Sequence, residues 1–249
     1  MELFGHSKVF SYLCTTKSIK IMKKKYELIP SDAKCLLYRV KALRDFSDVK
    51  MGDVGGYVQS EGNLSQDGDC WVYDNAKVYD NAKVCGNAEI RGNAKVYGNA
   101  KVYGDAKVCD DAWVSDNAKV CGIAKVYGDV WVYDNAVVYE NANVYGFAEV
   151  YGDAKVCGDA KVCGKVCVYG NASICGDAVV LTIKDYIVFK NFWSSGRYFT
   201  WTKSNNMWKV GCFYGSGEEL IAKAYKDSEV SGKHYEYFVN IVKDLDKLK

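Results

Sequence analysis

The sequence is poor in histidine and proline, and it has no long hydrophobic run. It contains two histidines, His6 and His234, and one proline among 249 residues. A zinc site built on three histidines is therefore excluded. Lysine, serine and threonine interrupt even the mildly apolar residues 2–21, so no signal peptide or transmembrane span is predicted.

Neither sign of charge dominates the chain. Lysine and arginine together number 33 and aspartate and glutamate 31, which gives a formal net charge of +2. The numbers of basic and acidic residues are 11 and 9 in residues 1–69, 11 and 14 in residues 70–181, and 11 and 8 in residues 182–249. This balance does not favour a nucleic acid partner, and it excludes an acidic mimic of DNA.

Residues 70–181 contain no proline, histidine or threonine, and they repeat a six-residue pattern without an insertion. The segment holds 19 hexads, which begin at Cys70 and continue in steps of six to Ala178. Position one is alanine in 16 hexads, and position three is valine in 17 and isoleucine in two. Positions five and six are mostly Gly or Asp followed by Asn or Asp. So strict a register predicts a repeat array.

The chemistry of one hexad predicts a short strand followed by a corner. Ala76 and Val78 are two residues apart and point to one face of a strand, while Lys77 and Tyr79 point to the other. The next pair, Asp-Asn, tolerates the left-handed backbone of a turn. A helix is excluded, because six is not a multiple of 3.6 and a turn pair every six residues would break it. The sequence therefore predicts a β-solenoid filled by alanine and valine.

Three hexads per coil is the favoured arrangement, because it stacks residues 18 apart. The outward residues after each valine then form columns, one of which contains no cysteine. We expect Trp113 and Trp131, also 18 apart, to stack on that column. A triangular prism of about six coils follows. The column consists of Tyr79, Tyr97, Ser115, Tyr133, Tyr151 and Tyr169.

The repeat resembles the left-handed β-helix of hexapeptide-repeat proteins, in which a small residue follows an aliphatic one by four positions. Val78 with Ala82 and Val96 with Ala100 follow that rule. The left-handed coil is implied by this resemblance alone. The chain is also similar to repeat proteins of bacteriophages and prophages, which carry a lead-in like LYRVKALRDFSDVKMGDVGGYVQ and end in a module like MWKVGCFYGSGEELIAKA. Those proteins mostly have no assigned activity.

The flanking segments are predicted to cap the solenoid, which would otherwise expose strand edges and a bare core. Residues 1–69 would form an N-terminal extension and a β cap, and residues 182–249 a small α+β cap. The runs CLLYRVKAL and GGYVQ indicate strands of the first cap. Leu64 is expected to stand already in the hexad register. Residues 1–21 are either an upstream extension or an ordinary N-terminal strand.

The second cap is predicted to contain three strands and two helices. Its strand-like runs are DYIVFKNFW, RYFTWTK and MWKVGCF. Ser216 and Glu219 have the spacing of a capping box, which would start a helix that reaches about Asp227 and ends at residues 230–232. Residues 235–242 predict a final amphipathic helix. Three tryptophans in this module, at positions 193, 201 and 208, indicate an apolar core.

The eleven cysteines do not predict a disulfide framework. Seven stand at outward positions of the repeat that tyrosine, serine or arginine also occupy, and no CxxC spacing appears. We therefore expect reduced thiols, no metal and no cofactor, in a protein of the cytoplasm of a bacterial cell. Cys85, Cys121, Cys157 and Cys175 should all react as free thiols. The repeat also lacks the GGxGxD pattern of calcium-binding solenoids, and turn preference explains its corner aspartates.

Two surface columns are the candidate sites, and neither is catalytic. The enzymes that the resemblance brings in are acyltransferases, which use a histidine in or beside the coil as general base. Residues 70–181 contain no histidine. Exposed aromatic columns mark interfaces, although stacking within the ladder would also account for the tyrosines. The aromatic candidates are Tyr79, Tyr97, Trp113, Trp131, Tyr133, Tyr151 and Tyr169. A lysine column is either an anion-binding stripe or a solubilising face, and it contains Lys83, Lys101, Lys119 and Lys155, interrupted by Val137.

The sequence thus favours a non-catalytic solenoid that binds a protein or acts as a scaffold. Its partner would be a second copy or another protein on the aromatic column, with no membrane contact, and the resemblance implies a phage or prophage origin. A counter-defence protein that binds a host protein or a nucleotide signal is the alternative. An acyltransferase is the third hypothesis, which the lack of histidine in the coil disfavours.

Overall fold

A computed structural model describes residues 24–31 and 36–248 of the chain. The two expectations for residues 1–21 lie outside these ranges. The described residues form a parallel β-solenoid that is flanked by a small β cap before it and an α+β module after it. The first three strands are β1 (Tyr26–Pro30), β2 (Tyr38–Ala42) and β3 (Val54–Val58), and a short 3-10 helix, Glu61–Asn63, follows them.

The repeat folds into 19 short strands, most of them two residues long rather than the four expected. Each strand contains positions two and three of a hexad, because the corner residues curve the chain away on both sides. They are β4 (Trp71–Val72), β5 (Lys77–Val78), β6 (Lys83–Val84), β7 (Glu89–Ile90), β8 (Lys95–Val96), β9 (Lys101–Val102), β10 (Lys107–Val108), β11 (Trp113–Val114), β12 (Lys119–Val120), β13 (Lys125–Gly128), β14 (Trp131–Val132), β15 (Val137–Val138), β16 (Asn143–Gly146), β17 (Glu149–Val150), β18 (Lys155–Val156), β19 (Lys161–Val162), β20 (Cys167–Val168), β21 (Ser173–Ile174) and β22 (Val179–Val180).

Three parallel faces confirm that three hexads make one coil. Neighbouring strands of the regular repeat pair residues 18 apart, as Lys77 pairs with Lys95, whereas β3 pairs with β5 at a separation of 20 residues. The first face contains β3, β5, β8, β11, β14, β17 and β20, the second β4, β7, β10, β13, β16, β19 and β22, and the third β6, β9, β12, β15, β18 and β21. Two faces therefore have seven rungs. The solenoid makes about seven turns, one more than expected, because β3 and Leu64 supply rungs before the regular hexads begin.

Alanine and valine fill the interior, as the hexad predicts. Every residue at positions one and three of the regular repeat is buried, among them Ala100 and Val102, both fully inaccessible. The corners use left-handed backbone at position five, where Asp80 has a φ of 56° and Gly98, one coil further, a φ of 67°. The Asp80 carboxylate accepts a hydrogen bond from the Gly98 backbone N–H at 3.2 Å. The corner aspartates thus link adjacent coils.

Leu64 is not in the hexad register, contrary to the expectation. It pairs with Val84, a position-three residue, whereas Ala82 would be its partner in the regular frame. The chain between Leu64 and Cys70 therefore contains two residues more than a regular corner. Cys70 is buried at position one, so the regular repeat begins there as expected.

Most backbone hydrogen bonds between coils run in one direction, and this bias affects what each cap must supply. The Lys95 N–H donates to the Ala112 carbonyl of the next coil at 2.9 Å, and this pattern recurs along the solenoid. Strand pairing also returns bonds in the opposite direction, as in any parallel ladder. The N-terminal end therefore presents more carbonyls than N–H groups, and the C-terminal end more N–H groups than carbonyls. Buried backbone groups without a partner are strongly unfavourable, so the first cap needs mainly donors and the last mainly acceptors.

The N-terminal cap supplies mainly donors, and its Gln59 Oε1 accepts from the Asp80 N–H at 2.7 Å. The Asn63 amide donates to the Asp80 and Ala82 carbonyls at 3.0 and 2.9 Å. The buried Lys25 ammonium donates to the Cys70 carbonyl at 2.9 Å, and burial lowers the pKa of this lysine. Tyr26 donates its hydroxyl to a further carbonyl. The rings of Tyr26, Phe46 and Trp71 close the end of the core by edge-to-face contacts.

The C-terminal module supplies mainly acceptors, and the Tyr186 hydroxyl donates to the Cys167 carbonyl at 2.9 Å. Thr200 Oγ1 accepts from the Ser173 N–H at 3.0 Å, and Ser204 Oγ accepts from the Val179 N–H at 2.7 Å. The module has four antiparallel strands rather than three, followed by two helices. After a short 3-10 helix, Ile183–Asp185, its elements are β23 (Tyr186–Lys190), β24 (Tyr198–Thr202), β25 (Met207–Val210), β26 (Phe213–Gly215), α1 (Gly217–Asp227) and α2 (Glu229–Lys247).

The capping box of α1 is confirmed, since the Glu219 N–H donates to Ser216 Oγ and the Ser216 N–H to the Glu219 carboxylate. The predicted end of this helix at residues 230–232 is wrong, because α1 ends at Asp227. Ser228 caps α2 instead, so these residues lie in the first turns of that helix. Trp201 and Trp208 are buried in the module as expected, whereas Trp193 is 69% exposed. Neither α1 nor α2 has the length and apolar character needed to cross a bilayer.

Cys157 and Cys175 form a disulfide across neighbouring rungs of the third face, so the expectation that all outward cysteines are free thiols is wrong for this pair. The two residues are 18 apart, and the coil brings any such pair into contact. Cys85 and Cys121 are free, as expected. They belong to the same column but are 36 residues apart, with Tyr103 on the rung between them.

A thiol count should reveal this pair. Wild-type protein purified without reductant and then denatured should show two fewer free thiols than the same protein after reduction. The double variant C157S/C175S should show no such increase, while C85S/C121S should keep it. An equal count before and after reduction of the wild type would contradict the bond.

Candidate functional site

The aromatic candidates lie on the first face, in two adjacent columns rather than one. Trp113 and Trp131 stand at position two of their hexads, on β11 and β14. The tyrosines stand at position four, just after the strands of the same face. The expected single column is therefore wrong. The tyrosine column contains Tyr79, Tyr97, Tyr133, Tyr151 and Tyr169.

The rings form two runs. Trp113 and Trp131 stack in parallel with centroids 5.1 Å apart, as the 18-residue spacing predicts. Tyr79 stacks on Tyr97 at 5.1 Å, and Tyr97 meets Trp113 edge to face at 6.4 Å. The second run is a stack of Tyr133, Tyr151 and Tyr169 at 4.9 and 5.5 Å.

Ser115 interrupts the tyrosine column between these runs, so the strip is not continuous as expected. Its side chain is buried and donates to the Asp116 carboxylate at 3.0 Å. Burial and the nearby Glu149 carboxylate raise the pKa of Tyr133 to about 12, so its hydroxyl stays protonated at neutral pH. Tyr133 donates to that carboxylate.

The most exposed aromatic surface of the repeat lies beside the tryptophans, at a corner of the prism. Trp131 is 47% exposed and Phe147 is 58% exposed. A shallow groove of about 620 Å³ runs along them. Phe147 was missed from the sequence, although it departs from the Asn or Asp expected at position six of its hexad. The groove is lined by Asn93, Lys95, Asp111, Trp113, Asp129, Trp131, Phe147 and Glu149.

Two of the four charged residues of the groove stand in the position-two column, and the other two, Asp111 and Asp129, stand at position six of their hexads. The Lys95 ammonium lies 4.1 Å from the centroid of the Trp113 ring, a cation–π contact at the N-terminal end of the tryptophan pair. Glu149 follows Trp131 on the next rung at the other end. The position-two column therefore has the order Lys95, Trp113, Trp131, Glu149, with opposite charges on either side of an apolar centre.

The lysine column lies on the third face, as the spacing predicts. Lys83 pairs with Lys101, Lys101 with Lys119, and Val137 separates Lys119 from Lys155. All four lysines are exposed, and none forms an ion pair within residues 24–31 and 36–248. Lys155 also lines a cavity at the C-terminal end of the solenoid.

Neither histidine belongs to the hexads of the repeat. His6 is outside the described residues, and His234 is on α2, where its Nδ1 lies 2.9 Å from the Val230 carbonyl and its ring stacks beside Trp193. Within the described ranges, no group of three histidine, cysteine or acidic side chains is placed to hold a metal ion.

Comparison with known proteins gives one short likeness and no family. No model of a known protein family matches the chain. A segment of 39 residues is 46% identical to the Escherichia coli (strain K12) protein named "Uncharacterized acetyltransferase YdcK". The match covers 16% of this chain and 12% of that protein. Together with the solenoid, it fits a hexapeptide-repeat β-helix.

Proposed function

We propose that the chain is a non-catalytic solenoid that binds a protein partner through its first face, and that this partner is a second copy of the chain. The observation that supports it is the groove around Trp131 and Phe147, whose rings are about half exposed. Tryptophan contributes disproportionately to the binding energy of interfaces. Alanine and valine dominate the interior, so these large rings serve no packing role there.

The order of charges in the groove favours a second copy. A two-fold axis between Trp113 and Trp131 would place the tryptophans of one copy against those of the other. The same axis would place Lys95 opposite the partner's Glu149 and Glu149 opposite the partner's Lys95. Two-fold dimers bury one self-complementary surface in this manner. The rungs of Lys95 and Glu149 are three apart, about 14 Å at the usual strand spacing, so both pairs fit one patch.

The W113K/W131K variant tests the proposal. Lysine is the usual residue at position two, so the solenoid should keep its fold and its β-type circular dichroism. The dimer should weaken roughly a hundredfold or more, because two anchor residues are lost. Sedimentation equilibrium would measure this. K119W, on the third face, controls for a general effect of tryptophan content. A monomeric wild type, or a variant that dimerises like the wild type, would overturn self-association through this face.

A charge swap tests the two-fold arrangement itself. E149K should weaken the dimer roughly tenfold or more, because it places like charges opposite each other. K95E should do the same, and the double variant K95E/E149K should restore the affinity, since opposite charges again face each other. K119E is the matched control. If the double variant is as weak as the sum of its single changes, the copies do not meet about this axis.

Acetyl transfer is the second candidate, and the short match to a protein named as an acetyltransferase favours it. The lack of histidine in the coil weighs against it. The test is the release of free CoA thiol from acetyl-CoA in the presence of a panel of amines and alcohols. Release above the protein-free blank, lost on heat denaturation, would replace the proposal of a non-catalytic protein.

The phage or prophage origin, the counter-defence alternative and the cytoplasmic location all stay predictions. The origin rests on the resemblance of the lead-in and end segments to phage repeat proteins. A counter-defence protein would use the same aromatic face for a host protein, or a separate site for a nucleotide. Co-purification of a host protein at one copy per chain, lost in W113K/W131K, would support the alternative over self-association.

A further inference from the structure

The last coils of the third face meet the C-terminal sheet, and this junction brings together residues from distant parts of the chain. Lys155 on β18 pairs with Ser173 on β21. The Ser173 N–H donates to Thr200 on β24, and Thr200 stands opposite Lys209 on β25. Lys155 and Lys209 are thereby held around one cavity, although 54 residues separate them in sequence.

The cavity has a volume of about 420 Å³, within the range of small-molecule sites. Arg197, from the turn before β24, adds a third cation to its wall. Three cations therefore face one carboxylate, that of Asp153. The cavity is lined by Asn135, Asp153, Lys155, Asn171, Ser173, Arg197, Tyr198, Thr200, Lys209 and Gly211.

These cations are not neutralised within the described part of the chain. Lys155, Arg197 and Lys209 make no ion pair there, and no acidic side chain other than Asp153 lines the cavity. Asp153 already accepts a hydrogen bond from the Asn135 amide at 3.2 Å, as part of the corner ladder. The cavity therefore has an excess of two positive charges, in contrast to the near balance of the whole chain.

Neutral donors complement the cations. Thr200 is 2% exposed and its Oγ1 accepts from the Ser173 N–H, which leaves its hydroxyl hydrogen available to donate. The Asn171 amide makes no hydrogen bond within the described ranges and lines the same wall. The planar guanidinium of Arg197 can bind two oxygens of one phosphate, and lysines neutralise the remaining charge.

We propose that this cavity binds the phosphate group of a small phosphorylated molecule. The site uses one member of the lysine column, Lys155, and two cations that the column does not contain. Lys83, Lys101 and Lys119 lie outside the cavity. The proposal is independent of the aromatic face, because the two sites share no residue.

Isothermal titration calorimetry at fixed ionic strength tests phosphate binding in this cavity, with inorganic phosphate, pyrophosphate and AMP as probes. The wild type should bind at least one probe saturably at one site per chain. K155Q, R197Q and K209Q should each weaken binding about tenfold, as expected for the loss of one charge-assisted contact. K119Q, from the same column but outside the cavity, should bind like the wild type. Circular dichroism would verify the fold of each variant.

The probes separate the sources of the phosphate. Tighter binding of AMP than of inorganic phosphate would assign a nucleotide, and equal binding would assign the phosphate group alone. W113K/W131K should bind the probes like the wild type, so a failure of the dimer leaves this test intact. Absence of saturable binding for all three probes would overturn the proposal. Equal weakening in K119Q and K155Q would do the same, because it would indicate unspecific surface charge.

Discussion

Replacing Ala100 with leucine should lower the free energy of unfolding by about 1–3 kcal/mol, because the interior of the coil has no room for three more carbon atoms. Ala100 is fully buried, and alanines occupy the equivalent rungs above and below it, at positions 82 and 118. The side chain cannot turn outward, since alternate residues of a strand point to opposite faces. Urea unfolding followed by circular dichroism would measure the change.

K101L is the matched control for this substitution. It introduces the same side chain one residue later, at an exposed position, and should change stability by less than about 0.5 kcal/mol. If A100L melts at the wild-type temperature while K101L does not, the assignment of inward and outward positions would be reversed.

N63A should destabilise the protein by roughly 2–4 kcal/mol, because it leaves two backbone carbonyls without a donor. The Asn63 side chain is buried, and its amide donates to the Asp80 and Ala82 carbonyls of the first regular coil. Its Oδ1 also accepts from the Ser60 N–H. The substitution removes the amide that covers these two carbonyls at the N-terminal end of the solenoid. Urea unfolding would give the difference in free energy.

N99A provides the comparison. Asn99 belongs to an exposed corner ladder, where its amide donates to Asn117 and its oxygen accepts from Asn81. Water can replace both partners, so the loss should stay below about 1 kcal/mol. Equal losses in N63A and N99A would contradict the special role of the cap. They would show instead that any asparagine of the ladder contributes alike.

The surplus of carbonyls at one end and of N–H groups at the other explains most of the difference in chemistry between the two caps. The first cap donates through an amide, an ammonium and a phenol, those of Asn63, Lys25 and Tyr26, while Gln59 accepts from the Asp80 N–H. The second cap accepts through the hydroxyls of Thr200 and Ser204, while Tyr186 donates to the Cys167 carbonyl. Each cap thus matches the mixture of backbone groups at its own end, although both cover the same alanine and valine core.

The sequence alone was sufficient for the solenoid, its interior and its three-hexad coil. Each regular coil packs on its neighbours in the same way, so one rule, with alanine at position one and valine at position three, decides the interior packing from Cys70 to Val180. The stacking of Trp113 on Trp131 followed from the same spacing. The capping box of α1 was also predictable, because its two hydrogen bonds join residues three apart.

Only the tertiary structure decided the features that depend on segments remote in sequence or on side-chain geometry. The register of Leu64 depends on the two extra residues before Cys70, whose path the hexad rule does not describe. The aromatic strip is split because positions two and four lie side by side and form separate columns. Phe147 is exposed because the corner that contains it turns its side chain outward. The cationic cavity exists because Arg197 and Lys209 come from strands packed against the last coils. Such contacts between a repeat and a cap have no period, so no pattern in the sequence encodes them.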